Sequence, residues 1–575
     1  MKITSEIINF LLVIFIFCSH QIEAQRSYDL IIRNGRIIDG TGNPWFSSDI
    51  GIIEGKIVAI KNLSDEAAKQ NIDATGLYVT PGFIDLHSHA DGAMTSEYTE
   101  ARMAKSLTSQ GLTTVLGGPD GRNTTWPLTK EIEGLEQKGH GMNLILMVGH
   151  STIRAQVMKE DYERIATPEE IDKMRKLLRE GLELGAFGMG AGVEYRPARF
   201  SNTAELLALG EVISEYDGFY IAHQRSEAIM PLWQLPSTAT GWQVDGLQAL
   251  EETIQIARAT GIRVVGSHHK SRGRSSFGRS SHDLKVIKNA RDEGLQVFID
   301  VYPYETFGGG PRPMIPKWAL VDKKVSIDGG RDDPAWGDKS LFKNSRKNLK
   351  RNWSDFSIRE LIIRDISWIV DHNGGQDRVV VVDYPESDFV GKTLQQIAQD
   401  RNTTFHEVVV YMALNGYKDV LGGAWTRGYG INDIDVTNYY KQDYAITSSD
   451  AAVSGVKGAK GFESIPGAHP RHFGAFTRRI ARYVKDLNTT TLPFAIRSMT
   501  GLPASVVGLK DRGYLKENYF ADITIFDFDK IRDKATVLKP DLYSDGIEYV
   551  IVNGDFTVEK GELTGNLPGG VIKKR

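Results

Sequence analysis

Short apolar runs that end abruptly in polar side chains recur through the middle of the chain. Runs at 78–84, 113–116 and 144–148 lead into DLHSH, GGPD and GH, and runs at 219–222, 263–265 and 444–446 lead into H, GSH and TSSD. Such runs predict buried strands, and eight are found, near residues 82, 114, 146, 188, 221, 265, 298 and 446. The first seven lie roughly 30 to 45 residues apart, the length of one strand–helix unit.

Helix start and stop signals fall between these strands. The sequence TPEE at 167–170 is a capping box with proline at the first helical position, and it predicts a helix that stops at Gly185. A second helix is predicted from near Asn202, with Glu205 three residues later, and a third over 246–260. This alternation predicts an α/β fold, a (β/α)8 TIM barrel, whose functional site lies at the carboxyl ends of the strands.

Both ends of the chain have the pattern of an antiparallel sheet instead. Alternating runs separated by Asn34-Gly35 and Glu54-Gly55 are hairpin signals, and residues 521–561 alternate in the same way. We therefore expect one small composite β-sandwich domain built from both termini. Its two parts are predicted at 25–80 and 506–575, on either side of a barrel at 81–505.

The gap before the eighth strand is too long for one strand–helix unit. Within it, residues 308–369 are rich in Gly, Pro, Asp, Lys and Arg. Loops of this length without their own structure are uncommon in compact domains. We expect an inserted subdomain or lid over the barrel mouth at about 308–369.

The amino terminus has the features of a secretory signal peptide. The run FLLVIFIF at 10–17 follows Lys2 and precedes Ala24. It is shorter than the ~20 apolar residues that span a bilayer, so residues 1–24 are predicted to be a cleaved signal. The protein is then exported, periplasmic or secreted, with no stable membrane anchor after signal removal. The single cysteine, Cys18, would leave with the signal.

We predict that the mature protein begins near Gln25, because a small residue, Ala24, closes the apolar segment. Amino-terminal sequencing of the protein from its native cell tests this. A chain that still begins at Met1 would contradict it.

Composition narrows the class of partner. Hydrophobic residues make up 41% and charged residues 25% of the chain, which is ordinary for a globular protein. The formal net charge of -4 is small, and a nucleic-acid-binding surface would require a basic excess. We expect no nucleic-acid partner, and the oligomeric state stays open.

The polar residues at the strand ends include the types that bind metals. His87 and His89 lie two apart, so in a strand both point to one face. Asp120, His223 and His268 follow three other strands, and their convergence predicts a divalent metal site, with zinc as the expected ion.

Asp450 ends the last predicted strand. A carboxylate there can take a proton from water and pass it to a leaving amine, so we interpret Asp450 as the catalytic acid–base group. The alternative is a turn-capping role, for which Ser448 and Ser449 already supply hydrogen bonds.

These segments resemble the amidohydrolase superfamily, and within it the D-aminoacylase or N-acyl-D-amino-acid deacylase family. The similarity rests on PGFIDLHSHAD (81–91), QGLTTVLGG (110–118), GAFGMGAGVEYRPA (185–198), AHQRSE (222–227), GSHHK (266–270), DVYPY (300–304), SSD (448–450) and HPRHFGAF (469–476), which follow in order along nearly all of the chain. The resemblance implies a barrel with a small β domain. It also implies metal-dependent hydrolysis of the amide of N-acyl-D-amino acids, which releases a D-amino acid and a carboxylate.

The resemblance also assigns roles residue by residue. It implies that His223 and His268 hold the tight metal, that His87 and His89 serve a second position, and that Asp450 is the catalytic aspartate. Lys270 and Tyr302 match residues that hold the substrate carboxylate, and Tyr195 matches one that lines the pocket. The chain departs from the family at Asp120, where D-aminoacylases commonly carry a cysteine ligand, and carboxylate is a harder donor than thiolate.

Two other functions stay open from the sequence. The same scaffold could act as a D-residue dipeptidase or a cyclic-amide hydrolase. Lys270 and Tyr302, which match the carboxylate-binding residues, distinguish these activities only loosely. A non-catalytic binding protein on this barrel would be expected to lack ligands, whereas here the histidines and Asp450 are present.

Overall fold

A barrel of parallel strands forms the centre of the molecule. The computed structural model describes residues 27–238, 244–308, 310, 312–321, 339–456 and 458–574, and the predicted signal peptide lies outside them. Within these ranges all eight predicted barrel strands are present: Phe83–Asp85, Leu112–Gly117, Asn143–Leu146 with Val148–Gly149, Gly188–Gly192, Phe219–His223, Arg263–Gly266, Val297–Val301 and Ala445–Thr447. Neighbouring strands pair in parallel, as the (β/α)8 prediction requires.

The barrel closes through short extensions of its first and last strands. Ser88–His89 pairs in parallel with Ala451–Ala452, and the backbone N–H of Asp450 donates to the carbonyl of His87 at 2.8 Å. The first and eighth strands therefore meet where their polar residues begin. At the other end of the barrel, Val571–Ile572 pairs in parallel with the third strand.

Helices cover the outside of the barrel. They are Leu128–Glu136, His150–Met158, Pro168–Glu183, Thr203–Glu215, Gly246–Thr260, Ser280–Asp292, Asp433–Tyr440, Arg471–Ile480, Leu492–Met499 and Gly501–Val507, with short turns at Asp91–Met94, Thr99–Met103 and Lys105–Thr108 and a π-helical turn at Ala481–Asp486. The predicted capping box at Thr167 is confirmed, with Glu170 as its partner, and Asn202 caps the next helix through the N–H of Glu205. No helix of the described residues is long and apolar enough to cross a membrane.

The two ends of the chain build one composite β domain, as predicted. Its strands are Tyr28–Ile37, Phe46–Ile53, Lys56–Lys61, Ala68–Asp73, Tyr78–Pro81, Ile523–Phe526, Ile547–Val552, Asp555–Glu559 and Glu562–Leu563. The two halves join where Val79 lies opposite Ile525. Apolar side chains cover both faces, since Leu30 and Ile32 belong to one cluster and Ile31 to another.

The segment inserted before the eighth strand is longer than predicted. A hydrophobic cluster separate from the barrel core runs from Met314 to Ala424. Its elements are Ser345–Ser354, Phe356–His372, Leu394–Asp400, Phe405–Asn415 and the antiparallel pair Val379–Asp383 and Trp425–Gly428. The predicted end at 369 followed the change in composition, but residues beyond it have an ordinary α/β pattern and pack into the same cluster.

The interior of the barrel is apolar toward the amino ends of the strands and polar at their carboxyl ends. Phe219 and Ile221 belong to an internal cluster, and His223 is the next residue of the same strand on that face. Because the lower layers are filled by apolar side chains, the polar residues collect at the carboxyl ends of the strands. This is the level at which TIM barrels carry their functional sites.

A buried ion-pair cluster joins two of the covering helices outside the polar mouth. The carboxylate of Glu205 contacts the guanidinium of Arg154 and lies 2.8 Å from His150 Nε2. All three side chains are fully buried. His150, which follows the third strand, therefore contributes to packing between helices.

We predict that Glu205→Gln lowers the free energy of unfolding by about 3–5 kcal/mol, because it leaves buried Arg154 without its charged partner. Glu211→Gln is the matched control, since Glu211 is on the same helix but 60% exposed in its pair with Arg175. Urea unfolding measures both variants. Equal stability of the two variants would contradict a structural role for Glu205.

Candidate metal centre and active site

The predicted site residues surround one cavity at the carboxyl ends of the barrel strands. The cavity has a volume of about 700 Å³, and its lining includes His89, Asp120, Tyr195, His223, His268, Lys270, Tyr302 and Asp450. His87 is fully buried against it, with Nε2 at 3.5 Å from Asp120 Oδ1. The structure thus brings together all nine residues singled out from the sequence.

Four of these residues, from three strand ends, form a first group. His87 Nε2 lies 3.6 Å from Asp450 Oδ1, and His89 Nε2 lies 3.3 Å from the same oxygen. Asp120 completes the group at 3.5 Å from His87 and 3.7 Å from His89. Two imidazoles and two carboxylates therefore face a common point at the closure of the barrel.

His223 and His268 form a second group beside the first. His223 Nδ1 lies 2.8 Å from His268 Nε2, and His268 Nε2 lies 3.9 Å from Asp120 Oδ1. The hydroxyl of Tyr195 is 3.0 Å from His223 Nδ1. Asp120 therefore connects the two groups.

Buried carboxylates hold the far nitrogens of this histidine pair. Glu194 contacts His223 Nε2 at 2.8 Å, and Glu227 contacts His268 Nδ1 at 2.9 Å. Arg272 pairs with both carboxylates, at 3.0 Å from Glu194 and 2.7 Å from Glu227. Carboxylates in this position fix the ring orientation of a metal-binding histidine and raise its basicity.

Sequence reasoning missed this supporting network of Glu194, Glu227 and Arg272. All three are charged yet almost fully buried, and a buried charge needs a partner. Their occurrence directly after buried strands, in GVEY, AHQRSE and HHKSR, is the signal that could have identified them.

A hydrogen-bond chain from Asp300 fixes the orientation of His87. Ser267 donates its single hydroxyl hydrogen to Asp300 Oδ2 at 2.6 Å, so it can only accept from His87 Nδ1, which it contacts. His87 then carries its proton on Nδ1, and its Nε2 presents a lone pair to Asp120 and Asp450. His269 faces away from the cavity, toward Gln224 at 3.0 Å and Asp283 at 3.2 Å.

The backbone is strained at two of these residues. His268 has φ 34° and Asp450 has φ 52°, the left-handed region that residues with a Cβ rarely adopt. Such strain costs of order 1–3 kcal/mol and is typical of functional sites. It turns both side chains toward the cavity just past the ends of their strands.

Arg471 is a further residue of the site to which the sequence assigned no role, although it lies in the HPRHFGAF motif. It is buried and lines the cavity, and its Nη1 lies 2.5 Å from Asp450 Oδ2. Its guanidinium also lies over the ring of Tyr302, 5.0 Å from the centroid. Burial raises the pKa of Asp450, but Arg471 and the neighbouring histidines hold it well below its ordinary value, so Asp450 is a carboxylate.

Tyr302 and Arg471, which stack against each other at the cavity, each carry a hydrogen-bonding group that has no partner within the described residues. They are the hydroxyl of Tyr302 and Nε of Arg471, both buried. Lys270 also lines the cavity, but its ammonium already contacts Glu227. Both side chains line the cavity, so both are candidates for contact with an anionic group of a ligand.

The donor set fits a divalent metal ion. His87 Nε2 and Asp120 Oδ1 are buried and have no hydrogen-bond partner among the described residues, and unpaired buried polar atoms are costly. Three sets, His87/Asp120/His268, His87/His89/Asp450 and His223/Glu227/His268, have ligand atoms close enough to share an ion. Imidazole and carboxylate together are the ligands of catalytic zinc sites.

Comparison with known proteins agrees with this architecture. The model of the Amidohydrolase family matches residues 70–222 and 464–558. A D-aminoacylase of Alcaligenes xylosoxydans xylosoxydans is 30% identical, over 95% of this chain and 98% of the relative. The N-acyl-D-glutamate deacylase of Bordetella bronchiseptica, solved with zinc and a phosphonate mimic of the tetrahedral intermediate, is 27% identical over 95% of this chain and all of that one, with a TM-score of 0.69.

A solved structure of a D-aminoacylase with a binuclear metal center is 28% identical to this chain. It covers 95% of this chain and all of that one, with a TM-score of 0.68. The fold and site define a metal-site hydrolase of the amidohydrolase superfamily that acts on amide C–N bonds. Within that superfamily the chain belongs to the D-aminoacylase family.

Proposed function

We propose that this protein is a metal-dependent deacylase of N-acyl-D-amino acids, which it cleaves to a D-amino acid and a carboxylate. The observation that carries the proposal is the convergence of unpartnered His87 Nε2 and Asp120 Oδ1 with the His223–His268 pair, next to the ionised Asp450. The D-specificity is taken from the relatives, which are named for D-amino acid derivatives.

The tight metal position is assigned to Asp120, His223 and His268, and the second to His87 and His89. A divalent ion at such a site polarises a carbonyl and lowers the pKa of water to about 7. Glu194 and Glu227, joined by Arg272, keep the ligand nitrogens of His223 and His268 facing each other.

Asp450 moves the proton in this proposal. One of its oxygens faces His87 and His89, and the other is held by Arg471. The carboxylate accepts a proton from the attacking water, whose oxygen bonds to the acyl carbon. It then donates that proton to the amine nitrogen as the C–N bond breaks, which restores the carboxylate for the next turnover.

The free carboxylate of the substrate is assigned to Tyr302 and Arg471, which line the cavity and each carry a donor with no partner among the described residues. Lys270 adds positive charge 5.5 Å from the ring centroid of Tyr302. Removing Lys270 would also leave buried Glu227 without its nearest cation, so Tyr302 offers the cleaner test of carboxylate binding.

We predict that Asp450→Asn folds and retains metal at the His223–His268 position but loses about 10²–10⁴-fold in kcat, the range for a positioned acid–base group. Elemental analysis and steady-state turnover of N-acetyl-D-amino acids measure the two properties. A metal-replete Asp450→Asn variant with near-full turnover would exclude Asp450 as the proton carrier.

Glu463→Gln is the matched control for this experiment. Glu463 is another carboxyl group that lines the cavity, and in the described structure it has no ion pair with the histidines. Its kcat is expected to stay within about threefold of wild type, since surface-like substitutions away from the chemistry have small effects.

We predict that Tyr302→Phe lowers kcat/KM for N-acyl-D-amino acids by one to two orders of magnitude. Its hydroxyl would donate to the carboxylate, and a hydrogen bond to a charged group contributes about 1.5–3 kcal/mol. Amidating the substrate carboxylate should cause a comparable loss on wild type and little further loss on Tyr302→Phe. Steady-state kinetics with the four combinations measure this coupling.

Tyr304→Phe is the control, because Tyr304 donates to the carbonyl of Pro470 at 3.4 Å and is not part of the cavity lining. If wild type cleaves free and amidated substrates equally well, there is no carboxylate clamp. That result would favour the alternative substrates, a cyclic amide or a D-residue peptide.

A further inference from the structure

One buried arginine of the inserted segment contacts two loops of the barrel. Arg427 lies in the strand Trp425–Gly428, and only 2% of it is exposed. Its Nη1 donates to the carbonyls of Phe307 at 2.9 Å and Gly308 at 2.7 Å, and its Nη2 donates to the carbonyl of Gly467. The guanidinium therefore joins the loop after the seventh barrel strand to the loop after the eighth.

Both loops form part of the wall of the active-site cavity. Phe307 and Gly308 line the cavity from the loop after the seventh strand, and Ala468 lines it from the loop after the eighth. We call these two stretches, residues 306–308 and 467–469, the rim segments. Arg427 thus holds the backbone of both rim segments from outside the barrel.

The second rim segment leads directly into Arg471. The carbonyl of Gly467 that Arg427 holds lies four residues before Arg471 in the sequence. The N–H of Arg471 donates to Nδ1 of His469 at 3.0 Å, and Nε2 of His469 lies 2.7 Å from the hydroxyl of Thr306. The backbone of Arg471 is therefore placed by the same contacts that join the rim segments.

The chemistry of Arg427 suits it to hold several carbonyls at once. In the part of the chain that the structure describes, its guanidinium has three acceptors, all of them carbonyl oxygens, and its Nε has no partner. Burial together with Arg471 and Arg312 lowers the pKa of Arg427 to about 9, so the group is charged at neutral pH. A buried charge is costly unless it is hydrogen-bonded, so both rim segments are needed to stabilise it.

We propose that Arg427 is a positioning residue of the active site, which holds both rim segments and thereby places Arg471 for the carboxylate of the substrate. The inference rests on the proposed function, because it concerns carboxylate binding at the same site. It also gives the inserted segment a role in substrate binding, since a strand of that segment carries Arg427.

Hydrogen exchange tests whether Arg427 holds the rim segments, without relying on turnover. The full-length protein and its Arg427→Met variant are compared by hydrogen–deuterium exchange and mass spectrometry. Peptides that contain residues 306–308 and 467–469 are expected to exchange at least about tenfold faster in the variant, because local opening no longer breaks the bonds to the guanidinium.

Arg346→Met is the matched control for the exchange experiment. Arg346 also donates to a backbone carbonyl, that of Gly416, but both residues lie within the inserted segment. Both rim segments are therefore expected to exchange at the wild-type rate in this variant. Circular dichroism of each variant confirms folding.

Steady-state kinetics test whether the rim segments place Arg471. In metal-loaded protein, Arg427→Met is expected to raise KM for N-acetyl-D-amino acids by about tenfold or more and to change kcat by less than about threefold, as for a loss of uniform binding. The backbone of Asp450 is held separately, through His87, so the proton carrier stays in place. KM for substrates with an amidated carboxylate should be the same in wild type and variant.

Arg427→Lys provides a second, milder variant. Lysine keeps the positive charge but lacks the planar fork of donors, so it should hold fewer of the carbonyls. We expect exchange and KM between those of wild type and Arg427→Met. If Arg427→Met does not fold, Arg427→Lys carries both measurements.

Three outcomes would overturn the proposal: unchanged exchange at both rim segments in a folded Arg427 variant, an unchanged KM, or an equal rise in KM for free and amidated substrates. In each case the deacylase proposal stands if wild type cleaves N-acyl-D-amino acids. Wild type that cleaves none of them would contradict the proposed function and with it the link to the carboxylate, whereas the exchange result alone decides whether Arg427 holds the rim segments.

Discussion

The site depends on how the barrel closes. The N–H of Asp450 donates to the carbonyl of His87, and the strand extensions beyond these residues pair in parallel. Residues more than 350 positions apart in sequence are thereby fixed next to each other. Rigid backbone pairing at this closure holds the histidines and the carboxylate next to each other. Asp85 reinforces the closure by accepting from the N–H groups of His87 and Ser449 at 3.1 Å each.

A second constraint acts behind the ligands. Glu194 and Glu227 orient His223 and His268, and Arg272 joins the two carboxylates. Because these groups are buried in a low-dielectric environment, each is tolerated only while its partner is present. The network therefore fixes the positions of the two facing histidine nitrogens, which lie 2.8 Å apart. Preorganisation of this kind lowers the cost of binding and of catalysis.

The strand ends were predictable from sequence, but their partners were not. Six site residues stand at the ends of apolar runs, so the spacing of the runs and the position of each residue after its run were enough to find them. They are His87, His89, Asp120, His223, His268 and Asp450. Arg471 lies about 20 residues beyond the last strand, and Arg272 contacts carboxylates on two other strand ends, so their roles depend on tertiary packing. The insertion was recognised by a bias in composition that ends at residue 369, whereas its hydrophobic cluster continues to Ala424.

The most direct test of this account is turnover of paired N-acetyl-D- and N-acetyl-L-amino acids by protein that has first been stripped of metal and then reloaded. The account predicts cleavage of the D forms after Zn²⁺, Co²⁺ or Mn²⁺ is returned, little cleavage of the L forms, and none by the stripped protein. Equal rates on both enantiomers, or turnover that is unaffected by complete removal of metal, would contradict it.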